Sequence, residues 1–221
     1  MQVMIDNLAA FVIGTIILLA VFAMVAASND GAIEAVQVDM GKTELRLLVD
    51  ALEQDMNNMG AGMPNPNFNG ANRVVRTYTK SGGKTTLLFQ ALQSDTGTPS
   101  PSDVTYEWEQ SGTITFPDNT TAPTWTVTRT ADGATSTFGT ATTFSVKMLK
   151  DSKVLGIREV LPDSPADSLA LIRYVEVAVG LAAPAGTESL IQRTQWAKRF
   201  RPTNLDNDRR RIVAAKPPGI P

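Results

Sequence analysis

The stretch LAAFVIGTIILLAVFAMVAA occupies residues 8–27 and is the most apolar part of the chain. Its twenty residues include no charged side chain, and only Gly14 and Thr15 interrupt the apolar run. Because a helix rises about 1.5 Å per residue, this segment spans roughly 30 Å, the thickness of the hydrocarbon core of a bilayer. The stretch therefore predicts an N-terminal helix that is buried in a membrane or in an equally apolar protein environment.

The residues before this run distinguish a retained anchor from a cleaved signal peptide. A signal peptide has a cationic N-terminal region and a shorter apolar stretch of about 7–15 residues. Met1–Asn7 contains no Lys or Arg and includes Asp6. These features favour a retained segment, with a removed signal peptide as the alternative.

Asp6 places a carboxylate just before the apolar run, where the positive end of the helix dipole stabilises a negative charge. On one interpretation, Asp6 caps the helix among the lipid headgroups. On the other, it pairs with the free α-amine of a neighbouring subunit once both are buried in a filament, because a buried charge requires a partner.

Helical periodicity continues beyond the apolar run. Asn29-Asp30-Gly31 favours a break, but apolar residues then resume at helical spacing, with charged residues between them. The apolar positions are Ile33, Val36, Met40, Leu45, Leu48, Leu52, Met56 and Met59, and the charged ones are Glu44, Arg46, Asp50, Glu53 and Asp55. If continuous from Leu8 to Asn58, the helix is about 75 Å long, far more than a bilayer requires. Its second half must therefore cover an apolar surface outside the membrane, and we expect Leu45, Leu48, Leu52, Met56 and Met59 to do so.

The rest of the chain shows the period of two that is typical of half-buried antiparallel strands. Examples are Val104-Tyr106-Trp108, Trp125-Val127, Phe144-Val146-Met148 and Val175-Val177-Val179-Leu181. Asp132-Gly133 predicts a hairpin turn. Strands that follow a helix predict an α+β fold, in which the amphipathic half of the helix packs on one face of an antiparallel sheet.

These patterns divide the chain into five parts. We expect an apolar helical half at 1–28, an amphipathic half at 29–59, a loop rich in Gly, Pro and Asn at 60–72, a sheet domain at 73–205, and an extended basic, Pro-rich tail at 206–221.

The composition argues against most classes of enzyme. The chain has no cysteine and no histidine, so it lacks a thiolate nucleophile, the commonest zinc ligand and the side chain that titrates nearest neutrality. A membrane-anchored hydrolase that uses Asp103, Glu107 and Glu109 is one alternative, although Glu107 and Glu109 share a strand face as exposed polar residues commonly do. We expect a protein that is not an enzyme and binds no cofactor.

Two polar clusters lie near the C-terminus. Arg199, Arg201 and Arg209-Arg210-Arg211 are basic, but the formal net charge is −2 and only Trp196 and Phe200 offer aromatic platforms nearby. A solvated edge or a contact between subunits is therefore preferred over nucleic-acid binding. Asn204, Asp206 and Asp208 alternate as Ca²⁺ ligands do, but they lack the frame of an EF-hand loop.

Several segments together resemble the type IV pilin superfamily, nearest the W-type minor pilins and the J-type pseudopilins. The N-terminal part resembles that family's anchor helix, with an acid before a long apolar run. LEQDMNNMG at 52–60 is similar to the Leu-x-x-Asp-rich turn and Gly where this helix ends. The strands around 104–108, 125–129 and 143–148 are similar to the family's sheet, and WAKRFRPTNL at 196–205 is similar to its last strand, which commonly ends in Arg-Pro-x-Asn-Leu.

The chain departs from the family pattern in three ways. Family precursors carry a short basic leader ending in Gly, and the mature chain has Glu at its fifth position. Here no such leader precedes Met1 and Asp6 replaces the Glu, so either a leader was trimmed or processing differs. The family's helix-breaking Pro is also missing, which leaves Gly14-Thr15 and Asn29-Asp30-Gly31 as the places where the helix would loosen on assembly.

The resemblance implies a structural subunit of a pilus or of a secretion pseudopilus. Such subunits wait in the cytoplasmic membrane with the sheet domain outside, are processed by a prepilin peptidase, and are assembled by a membrane platform into a fibre at the cell surface. The implied partners are copies of the same chain and other pilin-like subunits. Small residues such as Gly14 permit close approach of helices, so Gly14 joins Asp6 as a candidate assembly residue. The alternative is a monomeric binding or adhesin domain on a signal-anchor helix, which has no need of a second helical half.

Overall fold

The computed structural model describes residues 2–61, 63, 73–93, 100–116, 119–152, 156–185, 190–202 and 205. Within these residues a long helix precedes nine strands and one short helix. Their bounds are α1 (Gln2–Asn57), β1 (Val75–Ser81), β2 (Lys84–Gln93), β3 (Ser100–Thr115), β4 (Thr121–Ala131), β5 (Ala134–Ala141), β6 (Thr143–Ser152), β7 (Gly156–Val160), α2 (Ala166–Leu169), β8 (Ile172–Ala185) and β9 (Leu190–Phe200).

The helix α1 is continuous over 56 residues, or about 84 Å, and Asn29-Asp30-Gly31 does not interrupt it. It ends shortly before Gly60, whose φ of 73° lies in the left-handed region that glycine adopts readily. The Gly60 N–H donates a hydrogen bond to the Gln90 carbonyl at 2.7 Å, and Met59 forms an isolated bridge with Ala91. The end of the helix is thus fastened directly to β2.

The strands form two antiparallel sheets, which corrects the expectation of a single sheet. β1 to β5 follow one another as a five-stranded meander, and the second sheet has the order β7-β6-β8-β9. Only Thr142 separates β5 from β6, and its N–H and hydroxyl both donate to the Gly180 carbonyl on β8, at 2.8 and 3.3 Å. These hydrogen bonds hold the chain against β8 at the point where it leaves the first sheet and enters the second.

The predicted turn at Asp132-Gly133 is confirmed. It joins β4 to β5, and both residues have positive φ, 50° and 78°. A two-residue type I′ turn requires this combination, and Asp-Gly is among the sequences that adopt it at least cost.

The amphipathic half of α1 packs on both sheets, chiefly on β8 and β5 and to a smaller extent on β2 and β9. The five residues that we expected to cover the sheet are all buried, with exposures of 0–7%: Leu45, Leu48, Leu52, Met56 and Met59. At Gly41 the helix comes so close to β8 that a Cβ would lie 3.3 Å from a methyl group of Leu181. The α+β fold with an antiparallel sheet domain packed on the long helix is therefore as predicted.

The two sheets share one hydrophobic core with the helix. The Trp108 ring of β3 meets the Phe144 ring of β6 edge-on, with centroids 5.5 Å apart. The Tyr78 hydroxyl of β1 donates to the Val146 carbonyl of β6 at 3.1 Å. Burial raises the pKa of Tyr78 to about 12, with a smaller contribution from the negative charge of Glu159.

Candidate functional site

The most unusual surface of the molecule is the N-terminal half of α1. Of the eighteen large hydrophobic side chains exposed in the described residues, fifteen lie on this helix. They occur on every side of it between Phe11 and Val25, and a Cβ added at Gly14 would meet no atom within 4 Å. A helix that is apolar all round must be buried in lipid or in protein.

The projecting part of the helix is longer than a bilayer requires. Among the side chains of α1 whose burial is described, those from 11 to 36 are all exposed, Val38 is half-buried and Gly41 is the first buried position. The stretch from 11 to 36 alone is about 39 Å long, against roughly 30 Å for a hydrocarbon core. α1 contains an 18-residue window apolar enough to cross a membrane, none of it buried, and it is the one such helix in the described part of the chain.

A second exposed apolar surface continues along α1 beside the sheets. Ile33, Val36, Met40 and Leu47, here named the outer stripe, are 57–68% exposed. At about 100° per residue these four positions fall within an arc of about 60°, and that arc lies about 130° from the face that packs on the sheets. The protein's own sheets therefore leave the outer stripe uncovered.

A groove of about 730 Å³ runs beside the outer stripe, between α1 and the edge strand β5. Met40 and Leu47 line one wall, Thr137 and Phe138 line the other, and Arg129 also borders it. The Glu44 carboxylate crosses from the helix and accepts a hydrogen bond from the Gly139 N–H of β5. The outer stripe thus adjoins a concave surface of mixed polarity.

Asp55 is one of the charged residues between the apolar positions of α1, and its side chain is fully buried. Its carboxylate accepts two hydrogen bonds from Arg129 of β4, from Nε at 2.6 Å and from Nη2 at 2.9 Å. The Tyr106 hydroxyl of β3 donates a third, at 2.7 Å. This buried cluster joins the helix to the middle of the five-stranded sheet.

The cluster raises the pKa of two of its members, Tyr106 and Arg129. Burial, followed by the negative charge of Asp55, raises the pKa of Tyr106 well above its ordinary value. The hydrogen bonds that Arg129 donates to Asp55 raise the pKa of Arg129 above its ordinary value. The Arg129 guanidinium therefore stays positively charged and the Tyr106 phenol stays neutral.

The sequence contains a signal for this cluster. Asp55 lies three residues after Leu52 and four before Met59, so it shares the face that packs on the sheets. Arg129 lies two residues after Val127 and two before Ala131, so it shares their face of β4. Both of those side chains point into the core. A charged residue on each of two buried faces predicts a pair between them.

All three carboxylates of the hydrolase alternative lie on β3, and two of them form ion pairs with neighbouring strands. Asp103 contacts Arg76 at 2.6 Å, and Glu107 contacts Lys84 at 2.7 Å. The hydrogen bond that Lys84 donates to Glu107 raises the pKa of Lys84. Pairs of this kind are typical of a solvated sheet face.

The C-terminal clusters are only partly within the described residues. Arg199 pairs with Glu176 at 2.7 Å, and the Arg201 guanidinium lies 5.7 Å from the centre of the Tyr174 ring. Arg209-Arg210-Arg211, the Ca²⁺ candidates Asn204, Asp206 and Asp208, and the side chain of Asp6 lie outside the described residues. In the part of the chain that is described, no group of three His, Cys, Asp or Glu side chains could hold a metal ion.

No family model, curated protein or solved structure matches this chain. Its own geometry defines a class of architecture: an α+β domain carried at one end of an exposed apolar helix.

Proposed function

We propose that this chain is a structural subunit of a type IV pilus-like or pseudopilus filament and that it polymerises through α1. The observation that carries the proposal is the outer stripe, because a membrane anchor alone gives no reason for it. Ile33, Val36, Met40 and Leu47 expose large apolar side chains to water in the isolated chain. Exposed apolar surface of this kind favours contact with a partner.

Lipid is a poor partner for the outer stripe. If Leu8–Ala27 fills the hydrocarbon core, Ile33 begins about 9 Å beyond it and Leu47 lies about 30 Å beyond it. The segment between Val36 and Leu47 also contains Asp39, Lys42 and Glu44. Inserting these charged side chains into hydrocarbon would cost free energy. Protein is therefore the better cover for the stripe.

A second copy of the chain is the partner with the right shape. Each copy presents the same apolar half and the same outer stripe along one continuous helix, so a bundle of parallel copies would bury both surfaces together. Gly14 has no side chain, and a Cβ built there would meet no atom of the same chain within 4 Å, so the position leaves room for a neighbouring helix. The carboxylate of Asp6 would pair with a neighbour's α-amine in this bundle.

The resemblance to the pilin superfamily supplies the route to assembly. The subunit would wait in the cytoplasmic membrane, be processed by a prepilin peptidase and be raised by an assembly platform into a fibre outside the cell. A monomeric adhesin on the same anchor remains the competing proposal, and it leaves the outer stripe in water.

The proposal is tested by electron microscopy of material sheared from cells that express the chain, with mass spectrometry of the main band. We expect fibres composed of this chain. The double variant Val36→Glu/Leu47→Glu should insert in the membrane yet enter no fibres, because buried carboxylates would face each other. The matched control, Ala35→Glu/Arg46→Glu, changes neighbouring exposed positions on another helix face and should leave the fibres intact. Normal fibres from the stripe variant would contradict the proposal.

A further inference from the structure

A cleft of about 440 Å³ lies between the two sheets, where the start of β4 approaches the start of β6. Its aromatic lining residues are Phe116, Trp125 and Phe144, and its polar ones include Thr121, Thr143 and Gln195. None of the residues that line the cleft belongs to the outer stripe or lines the groove beside it, and the cleft plays no part in the proposed assembly. Its volume falls in the range of about 300–1,000 Å³ that is typical of small-molecule sites.

The strand carrying Trp125 is irregular on both of its edges. The pairing with β3 shifts register between Gln110 and Gly112, and the pairing with β5 shifts between Trp125 and Val127. Bulges re-aim side chains and are common beside binding sites. Val127 is fully buried, whereas Trp125 stays partly exposed, and its indole N–H makes no hydrogen bond with any described residue. Part of the indole is therefore available to a ligand.

A row of three residues crosses the second sheet and lines the opposite side of the cleft. Thr143 of β6, Gly180 of β8 and Gln195 of β9 are direct cross-strand partners. A Cβ on Gly180 would lie 3.2 Å from the Thr143 Cβ and 3.3 Å from the Gln195 Cγ, so the missing side chain lets these two residues converge. Neither the Thr143 hydroxyl nor the Gln195 amide is hydrogen-bonded to a described residue, and both residues are exposed.

The cleft is lined by no charged side chain among the described residues. A phosphate or carboxylate would therefore find no counterion among the described side chains that line the cleft. A purely apolar ligand would leave the Thr143, Gln195 and Trp125 polar groups without partners, which is costly. The chemistry that fits is a neutral molecule with both hydroxyl groups and a C–H face.

We propose that this cleft binds a neutral carbohydrate of one or two sugar units. The polarised C–H face of a pyranose would lie against the negative face of the Trp125 indole. Its hydroxyls would exchange hydrogen bonds with Thr121, Thr143 and Gln195, which can all donate and accept. This inference does not depend on polymerisation, since each chain contains the whole cleft.

The test uses the full chain in phosphatidylcholine nanodiscs, because many detergents carry sugar headgroups that would compete. Ligand-observed NMR saturation transfer would screen glucose, galactose, mannose, N-acetylglucosamine and their disaccharides, with glucuronic acid as the acidic match to glucose. We expect at least one neutral sugar to bind saturably and glucuronic acid not to bind. Trp125→Ala and Gln195→Ala should each weaken binding by about tenfold or more, as the loss of a direct ligand contact does.

Thr194→Ala is the control, because Thr194 is an exposed neighbour on β9 that does not line the cleft. It should bind the sugar as the unchanged chain does. If circular dichroism shows that Trp125→Ala does not fold, sugar binding by Gln195→Ala and Thr143→Val tests the proposal instead. Both positions are exposed, so these substitutions should leave the fold intact. The inference is overturned if no neutral sugar in the panel binds, if binding survives the Gln195 and Thr143 substitutions, or if toluene binds where the sugars do not.

Discussion

Asp55 of α1 and Arg129 of β4 form a two-pronged ion pair, with N···O distances of 2.6 and 2.9 Å, around a carboxylate that has no exposure to solvent. The two residues are 74 positions apart in the chain. Because both bonds and the third from Tyr106 constrain the direction of one side chain, they fix the rotation of the helix relative to the first sheet. That rotation determines which face of α1 packs inward and which face presents the outer stripe.

Replacing Asp55 by Ala should strongly destabilise the domain. The change leaves the largely buried Arg129 guanidinium without its counterion, at a cost of about 3–5 kcal/mol, with the lower end expected because Arg129 retains some solvent contact. Thermal unfolding of the full chain, followed by circular dichroism, measures this loss. Asp50→Ala, at an exposed position of the same helix, should change stability by no more than about 0.5 kcal/mol. Equal effects of the two substitutions would show that the ion pair does not hold the helix in place.

The buried tyrosines should make the domain sensitive to alkali. The pKa of Tyr78 is raised to about 12 in the folded chain, against 10.0 ordinarily, so between these values the unfolded chain loses the proton while the folded chain keeps it. Stability is therefore fully present below about pH 10 and falls as pH rises toward 12. Tyr78→Phe removes this contribution, and its melting temperature should fall less steeply across that range than that of the unchanged chain. Parallel pH profiles for the two proteins would contradict the assignment.

Much of the fold could be predicted because its signals are local. The periods of 3.6 and 2 identify the helix, the strands and their inward residues, and Asp132-Gly133 identifies its own turn. Strand order is not local. β5 and β6 are separated by Thr142 alone, yet they belong to different sheets because of hydrogen bonds to Gly180. The pairing of Asp55 with Arg129 was not predicted because 74 positions separate the two residues in the chain. The Trp125 cleft could not be anticipated because its walls come from four separate strands.

Truncation should separate the two halves of α1. A fragment beginning at Ile33 loses the apolar run but keeps the buried residues Leu45 to Met59, so it should be soluble and folded. A fragment beginning at Gly60 would expose the core surface that these residues cover and should aggregate. Size-exclusion chromatography and circular dichroism of both fragments measure the difference. Equal solubility would mean that the helix is dispensable to the core.

Replacing Gly14 by Leu should impair assembly while leaving the folded domain unchanged. The position is open in the isolated chain, so an added side chain meets no atom of the same molecule. In a bundle of close helices it would overpack each contact by about 1–3 kcal/mol, and that cost is repeated at every subunit. Fibre yield should drop sharply, whereas the melting temperature of the released subunit should not move. Ala20→Gly, which removes volume, is the matched control and should still form fibres.

Protection of single thiols along α1 tests most directly whether the outer stripe contacts a second copy of the chain. The chain contains no cysteine, so Val36→Cys and Leu47→Cys each introduce the only thiol, with Ala35→Cys and Arg46→Cys as neighbours on another exposed face. Sheared assembled material would be labelled with a water-soluble maleimide, before and after dispersal in detergent. We predict that thiols at positions 36 and 47 are labelled at least about tenfold more slowly in the assembled material than after dispersal. A thiol buried in a contact reacts only when the structure opens locally. Detergent should restore the rate and high salt should not, because an apolar contact has few charges to screen. Equal labelling of all four thiols in both states would mean that the helix is only an anchor and that the outer stripe contacts no partner.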